Sequence, residues 1–481
     1  MMSEPATAKT NALRLLPSVD QLLRTVTAGS LRNLVGLTRL TILARAVTDE
    51  MRAKILASEM PNGETRETLL LRAEQRLREF GEEEGKSGIR RVINVTGVIL
   101  HTNLGRAPLS RAACAAVINE AAGYCTLEYD AVAGSRGRRG ARVEELLIEL
   151  TGAEDALVVN NCAAAALLIL SVLAGDGETL VSRGELVEIG GDFRVPDVML
   201  NSGTRMIEVG TTNRTHLEDY RRVINENTRL IMRVHQSNYR IVGFTTSPSL
   251  SDLANLAHDK RLILFEDAGS GVLTDLGPYG LGDEPVIMDC ISEGADVVSF
   301  SGDKLLGATQ AGLIVGRQEI VSRLRRHSLY RALRVDKLTL AALEATLKSH
   351  RRGTPFQDIP TLKMLSLSAE EIEVRAKHLT ETLSQRPPDS KLTIAIEEGW
   401  SAVGGGSGPA IHPATALISL QHLSLSADEI QRRLRLSSPP VIARISNGKV
   451  LIDLRTVAPE EEPELLDAIR HLTDQAFTSA P

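Results

Sequence analysis

The stretch Val297-Val298-Ser299-Phe300-Ser301-Gly302-Asp303-Lys304-Leu305-Leu306-Gly307 decides how this chain is read. Residues 297–300 have the β-branched and aromatic character of a buried strand, and Lys304 follows just past its end among small neighbours. A second stretch, Leu262-Ile263-Leu264-Phe265-Glu266-Asp267-Ala268-Gly269-Ser270-Gly271, has the same plan. An apolar run delivers Asp267 at its carboxyl end, where open α/β sheets bind ligands. A third, Val158-Val159-Asn160-Asn161-Cys162-Ala163-Ala164-Ala165-Ala166, reads as strand, tight turn and helix start. Its small side chains let backbone N–H groups approach a phosphate at a helix N-terminus, with Asn161, Cys162 and Ala163 as the cradle.

Alone, each feature has an ordinary explanation. Asp-Ala-Gly is common turn chemistry, a lysine after a strand is usually solvated, and Asn-Asn-Cys-Ala-Ala can be a simple helix cap. Together, each at a strand terminus, they match what pyridoxal phosphate (PLP) requires. A lysine, Lys304, forms an imine with the cofactor, and a carboxylate, Asp267, keeps the pyridine nitrogen protonated so that the ring accepts the electrons of a carbanion. Enclosure lowers the pKa of such a lysine and favours its free amine. Ser301, three residues before Lys304, is placed to bond the cofactor phosphate.

Around these stretches, short apolar runs at 156–159, 179–182, 205–209 and 230–235 alternate with helical segments such as 163–173, the pattern of an α/β domain. The run 313–316 follows a short loop and predicts an antiparallel, hairpin-like strand. Thr215-His216-Leu217-Glu218 reads as a capping box opening a helix. These segments define a cofactor-binding catalytic domain over 88–352. Before it, residues 1–87 predict a helical domain. Ser18 and Gln21 form a capping box, Leu34, Leu37, Leu40 and Ile55 recur at helical spacing, and Gly81-Glu82-Glu83-Glu84-Gly85-Lys86 reads as a solvated break. After it, residues 353–481 predict a small α+β domain. Ser368-Ala369-Glu370-Glu371 caps a helix ending near Arg386-Pro387-Pro388, strands follow at 392–396 and 416–420, Ser426 caps another helix, Asn447-Gly448 turns a hairpin, and a last helix covers 463–476.

Composition narrows the classes. The 481 residues carry 55 Lys and Arg against 61 Asp and Glu, a net charge of −6, which disfavours a generic nucleic-acid binder. Arginines do cluster, at 136–142 and at 323–334, so a local anion patch is available. The four cysteines, Cys114, Cys125, Cys162 and Cys290, form no Cys-x-x-Cys pair and predict neither a zinc site nor a disulfide framework. With no signal-peptide pattern and no apolar run long enough for a bilayer, the chain is read as soluble and cytoplasmic.

Further motifs mark a resemblance. Arg91-Val92-Ile93-Asn94-Val95-Thr96-Gly97, continuing to His101-Thr102-Asn103-Leu104-Gly105-Arg106-Ala107-Pro108-Leu109, resembles the opening motif of the bacterial L-seryl-tRNA(Sec) selenium transferases. So do Gly184-Glu185-Leu186-Val187-Glu188-Ile189-Gly190-Gly191, His235-Gln236-Ser237-Asn238-Tyr239, the lysine motif at 299–304, Val403-Gly404-Gly405-Gly406-Ser407 and Leu451-Ile452-Asp453-Leu454-Arg455-Thr456. Leu16-Pro17-Ser18-Val19-Asp20 resembles the start of the family's extra domain. The resemblance implies a fold-type-I, aspartate aminotransferase-like PLP-dependent transferase. It implies a helical N-terminal domain that grips tRNA, and a homo-oligomer built as a ring of dimers, a decamer. It implies conversion of seryl-tRNA(Sec) to selenocysteinyl-tRNA(Sec) with selenophosphate as donor, by β-elimination of water to a dehydroalanyl-tRNA and addition of selenium. It places Arg106, Arg331 and Arg334 on the anionic donor, although Arg331 and Arg334 also fit a solvated or tRNA-facing basic face. Asp303 or a water is the acid for the leaving hydroxyl. His235 is a candidate to pack on or near the cofactor, and His101 and His235 equally fit satisfied polar residues. Two departures stand out: Gly307-Ala308-Thr309-Gln310 where the family pattern is Gly-Gly-Pro-Gln, and Cys162 where Asn is common. A related PLP-dependent β-eliminating lyase acting on a small amino-sugar acid, and a catalytically silent tRNA-binding protein, are the competing readings.

Overall fold

The computed structural model describes residues 12–60, 64–85, 88–189, 193–385 and 390–473. It divides into two compact units, Met1–Arg91 and Val92–Pro481.

The first unit is helical among its described residues. Ser18 caps α1 (Val19–Leu23) through a reciprocal box with Gln21. Thr25 caps α2 (Val26–Val35). Gly36, at φ 79°, turns the chain into α3 (Leu37–Leu56), and α4 (Arg66–Gly85) closes the bundle. Leu22, Leu31, Leu40, Leu43, Val47, Leu69 and Leu77 form its core. Two expectations change. Leu34 and Leu37 face solvent, because the Gly36 turn breaks the helical phase between them. Residues 81–85 are no solvated break but the last turn of α4, and a Cβ on Gly81 would meet the Leu31 side chain at 2.6 Å. Lys86 lies outside the described residues.

The second unit is organised by a seven-stranded sheet. Its strands are β1 (Asp155–Val159), β2 (Glu178–Ser182), β3 (Arg205–Val209), β4 (Thr228–Val234), β5 (Ile263–Asp267), β6 (Val297–Ser301) and β7 (Gly312–Gly316). Their spatial order is β1-β7-β6-β5-β4-β2-β3. β7 runs antiparallel to both its neighbours and every other pair is parallel. Alternate residues feed two separate cores, as a buried strand's period of two requires. Val158, Leu264, Val298 and Phe300 face one core, and Leu157, Phe265, Val297 and Ile314 face the other. The first is covered by helices that include Ala141–Thr151 and Leu250–Asp259, the second by α5 (Cys162–Leu173) and its neighbours. The short α6 (Ser328–Leu333) packs beside this second face. The predicted capping box sits one residue later than expected: the His216 N–H donates to Asp219 at 2.8 Å.

A smaller antiparallel sheet has the order β8 (Leu392–Trp400), β9 (Ala414–His422), β11 (Lys449–Asp453), β10 (Arg444–Ser446). α7 (Ala369–Gln385), α8 (Ala427–Leu436) and α9 (Glu462–Arg470) share a core with it. Asn447 and Gly448 both take positive φ, as the predicted tight hairpin requires. The end of the predicted α7 at 386–388 and the tail beyond 473 lie outside the described residues. The opening motif does not stay with the large sheet. Ile93–Asn94 pairs in parallel with Val441–Ile442, and Val98–Leu100 pairs with the Ala402–Gly404 strand. A fully buried Asp453 fixes this junction. It accepts from Ser401 Oγ at 2.7 Å, Thr415 Oγ1 at 2.9 Å and the Arg455 amide at 3.0 Å. Gly97 is required beside it, since a Cβ there would lie 2.1 Å from Asp453 Oδ2. The neighbouring Arg455 guanidinium is equally buried. Asp453→Ala is therefore expected to lower the urea midpoint by the equivalent of about 3 kcal/mol, because it leaves the buried Ser401 and Thr415 hydroxyls and the Arg455 amide without their acceptor and removes a charge that favours the Arg455 cation; a shift below about 1 kcal/mol would remove the junction from the stability argument.

Candidate active site

β4, β5 and β6 are parallel neighbours, so their carboxyl ends open on the same edge of the sheet. The Asp267 carbonyl accepts the His235 amide at 3.0 Å, and the Ser299 carbonyl accepts the Ala268 amide at 2.9 Å, which locks the three ends in step. Lys304 sits in a tight turn after β6, with Gly307 N–H donating to its carbonyl at 2.9 Å and Ala308 N–H closing on Gly302 at 2.8 Å. Gly307 has φ 75°, and a Cβ there would strike Ile359. Lys304 and Asp267 are both buried, and the lysine charge acts on the carboxylate.

Asp267 is the more constrained of the two. Burial pushes its carboxyl pKa upward, opposed by donors from Ser299, the Gly269 amide and Cys162 and by the nearby Lys304 charge. The donor distances to Asp267 Oδ1 are 3.0 Å from Ser299 Oγ, 3.3 Å from Gly269 N and 3.5 Å from Cys162 Sγ. Burial and the Asp267 charge hold the Cys162 thiol protonated, its pKa raised well above the usual thiol range.

The third predicted element lies against the first two. Asn161 caps α5 by accepting from Ala164 N at 2.8 Å. The Cys162 and Ala163 amides precede the first intrahelical bond and have no partner within the helix. Gly312 lets β7 pass under this turn, since a Cβ would lie 2.1 Å from the Asn161 carbonyl oxygen. α6 reaches the same turn: Asn160 N–H donates to the Leu333 carbonyl at 2.9 Å, and Arg334 bridges Val159. Arg334 is thereby placed beside the turn, 3.5 Å from Glu128, while Arg331 projects into solvent from α6.

Asp303, Ser301, Arg106 and His235 find partners within the protein itself. Asp303 accepts from Arg106 Nη1 at 2.7 Å on Oδ2 and from Ser301 Oγ at 2.8 Å on Oδ1. The single hydroxyl hydrogen of Ser301 thus goes to Asp303. Arg106 adopts φ 61°, an uncommon conformation for a non-glycine residue, and holds its guanidinium at the lysine turn. His235 stands 3.4 Å from Glu284, which also accepts from Ser270 and, at 2.9 Å, from the Gly408 amide. His101 is half-buried, its Nδ1 without a hydrogen-bond partner among the described residues.

Sequence reasoning missed Ser299 and Glu284. Ser299 carried a readable signal: it is a polar residue inside an apolar strand, two positions before Ser301 and so on the same face. Glu284 carried none, since it sits in an irregular loop far along the chain from His235.

Comparison with known proteins bears on this constellation. The family model for L-seryl-tRNA selenium transferase matches residues 92–458. An L-seryl-tRNA(Sec) selenium transferase of Clostridium perfringens is 44% identical over 96% of this chain and 99% of its own. One from Geobacter sulfurreducens is 48% identical over 82% and 86%. The chain belongs to this family. Among solved structures, a D-glucosaminate-6-phosphate ammonia-lyase aligns with a TM-score of 0.55 over 81% of this chain and 97% of its own, at 21% identity, a likeness of fold. The shared fold is a mixed α/β one, with the seven-stranded sheet packed between two cores.

The family's Gly184-Glu185 motif also has a structural place. Glu185 is buried past the end of β2 and accepts from Val234 N at 3.1 Å. Burial is the main cause that pushes its carboxyl up to about 8 from 4.5. A carboxyl that stays protonated in the folded chain and ionises in the unfolded one makes the folded state bind more protons. Its contribution is complete below pH 4.5 and is lost as pH rises through about 8. Glu185→Gln keeps the acceptor and removes the titration, so its unfolding free energy should decline less over that window than the parent's. Urea titrations at several pH values check this, and parallel declines would exclude Glu185 as the source.

Proposed function

We propose that this protein converts L-seryl-tRNA(Sec) to L-selenocysteinyl-tRNA(Sec) with selenophosphate as the selenium donor, using PLP held between Lys304 and Asp267. The observation that carries the reading is the buried, electrostatically coupled lysine–aspartate pair at neighbouring strand ends, in a chain of the selenium transferase family. The residues fit the cofactor: an amine and a carboxylate for opposite ends of the ring, and the free α5 amides for its phosphate. When bound, PLP supplies a ring that accepts negative charge from the substrate α-carbon.

The side chains divide the remaining work. Lys304 would hold the cofactor as its covalent anchor and would serve as the base for the substrate α-proton. Asp267 holds the proton on the ring nitrogen. The Cys162 and Ala163 amides, with Asn161 fixing their turn, receive the phosphate; Ser301 instead supports Asp303. With both its oxygens already accepting, Asp303 acts by holding Arg106 rather than as the acid. The proton for the departing hydroxyl then comes from Lys304 after it has taken the α-proton, or from water. Arg106 and Arg334, from distant parts of the sequence, are the guanidinium partners for a small, highly charged donor, while the exposed Arg331 on α6 is left to the basic face expected to meet solvent or tRNA. His235, fixed by Glu284, lies alongside Asp267 at the cofactor.

Residues 1–87, within the helical first unit, are assigned to holding the tRNA, and residues 353–481 to the small domain. The assembly is a homo-oligomer, a ring of five dimers in the cytoplasm. The ring is what the resemblance to the family implies, and exposed apolar side chains such as Ile118, Tyr124, Val132 and Phe244 are compatible with association. No described helix is long and apolar enough to cross a membrane.

Two assays test the reading. Incubated with seryl-tRNA(Sec) and selenophosphate, the protein should release selenocysteinyl-tRNA(Sec), and Lys304→Ala none; equal product from both would remove Lys304 from the chemistry. Arg106→Ala and Arg334→Ala should each raise KM for selenophosphate roughly tenfold or more, the size of a charged hydrogen bond, with KM for the tRNA unchanged. A rise in the tRNA KM alone would move these arginines to the nucleic acid.

A further inference from the structure

Asp267 has two oxygens, and the surrounding chain treats them unequally. Ser299, Gly269 and Cys162 all direct their hydrogens at Oδ1. Oδ2 has no protein donor among the described residues, and it is not one of the buried atoms sealed away without a partner. The three donors arrive from separate elements. Ser299 is the register partner of Asp267 on β6, Gly269 is in the turn after β5, and Cys162 is the first residue of α5. Ser299 is fully buried, and the cysteine sulfur stands 3.8 Å from its hydroxyl, so thiol, hydroxyl and carboxylate form one connected group.

We propose that Ser299 and Cys162 are positioning residues that fix Asp267 through Oδ1 and so present Oδ2 to the ring nitrogen of the cofactor. The inference deepens the proposed function and rests on its placement of PLP. Its physical basis is twofold. A buried carboxylate without donors tends to take up a proton, and a protonated Asp267 does not hold the pyridine nitrogen in its cationic form. A carboxylate free to rotate also loses part of each bond it makes, whereas one pinned on a single oxygen keeps the other aimed. Cys162 adds a link of its own. As the opening residue of α5 it contributes an amide to the phosphate turn and a thiol to the Asp267 group, so one residue ties together the two ends of the cofactor site.

The test uses the full-length protein, stripped of cofactor and titrated with PLP, with Ser299→Ala, Cys162→Ala, Cys162→Ser and Asp267→Asn in parallel. Two quantities are read: PLP affinity, and the pH at which the visible absorbance band of the bound cofactor titrates. Ser299→Ala should bind PLP roughly tenfold more weakly, the loss of one hydrogen bond to a charged group. Its band should titrate at a pH displaced in the same direction as in Asp267→Asn. Cys162→Ala should show a smaller displacement of the same sign, and Cys162→Ser, which keeps a donor, should return toward the parent. Parent-like affinity and titration in Ser299→Ala would overturn the proposal while leaving the cofactor assignment intact. If Ser299→Ala fails to fold, the Cys162 pair decides: identical titrations for Cys162→Ala and Cys162→Ser overturn it. A parent protein that gains no visible band with PLP would instead take down the cofactor reading, and this inference with it.

Discussion

A carboxylate buried where water is scarce is the constraint on which the rest of the site depends. Asp267 ends a strand buried along its last four residues, and the elements around it answer the cost of that placement. The neighbouring strand supplies a hydroxyl, the following turn an amide, the α5 helix a thiol, and the loop after β6 a cation. These donors come from segments more than a hundred residues apart in the case of Cys162. Only a sheet that brings β5 and β6 side by side, with the start of α5 over the same face, can assemble them. The antiparallel β7 serves this arrangement, because its Gly312 lets the backbone of the Asn161 turn settle directly onto the sheet.

The arginines obey a related logic at the rim of the site. Arg106 is held by Asp303, and Arg334 lies near Glu128, which also binds Arg136 and Arg139. A long cation left to itself samples many rotamers, and ordering it on ligand binding costs conformational entropy. A carboxylate partner meets that cost during folding and holds the remaining guanidinium N–H groups in place.

Much of this was legible in the sequence, for identifiable reasons. The strands at the centre of the large sheet are short apolar runs ended by functional residues, and buried parallel strands have that composition. The Ser18, Ser368 and Ser426 caps and the Asn447-Gly448 turn were readable because their chemistry is local. What stayed hidden depends on distance. The partner of His235 is Glu284, and the partners of Asp303 include Arg106, nearly two hundred residues upstream. Spacing along the chain does not encode such meetings. Where periodicity misled, at Leu34 and Leu37, a single glycine had shifted the helical phase between two segments that look continuous on paper. The glutamates at 82–84 looked like a break because charge in sequence resembles a loop, yet a helix with one wet face carries the same residues.

The pairing of the opening motif carries a mechanical consequence. Val98–Leu100 is hydrogen-bonded to the Ala402–Gly404 strand and Ile93–Asn94 to Val441–Ile442, two short ladders outside the small sheet, and the segment that leads to Arg106 joins that sheet itself where the Asp453 amide of β11 donates to the Val95 carbonyl at 2.9 Å. Arg106 is at the same time moored to Asp303, next to the lysine on the large sheet. Any rocking of one sheet against the other therefore acts on Arg106 as on the end of a lever, and its ion pair is the latch that such rocking must stretch before the two sheets can part.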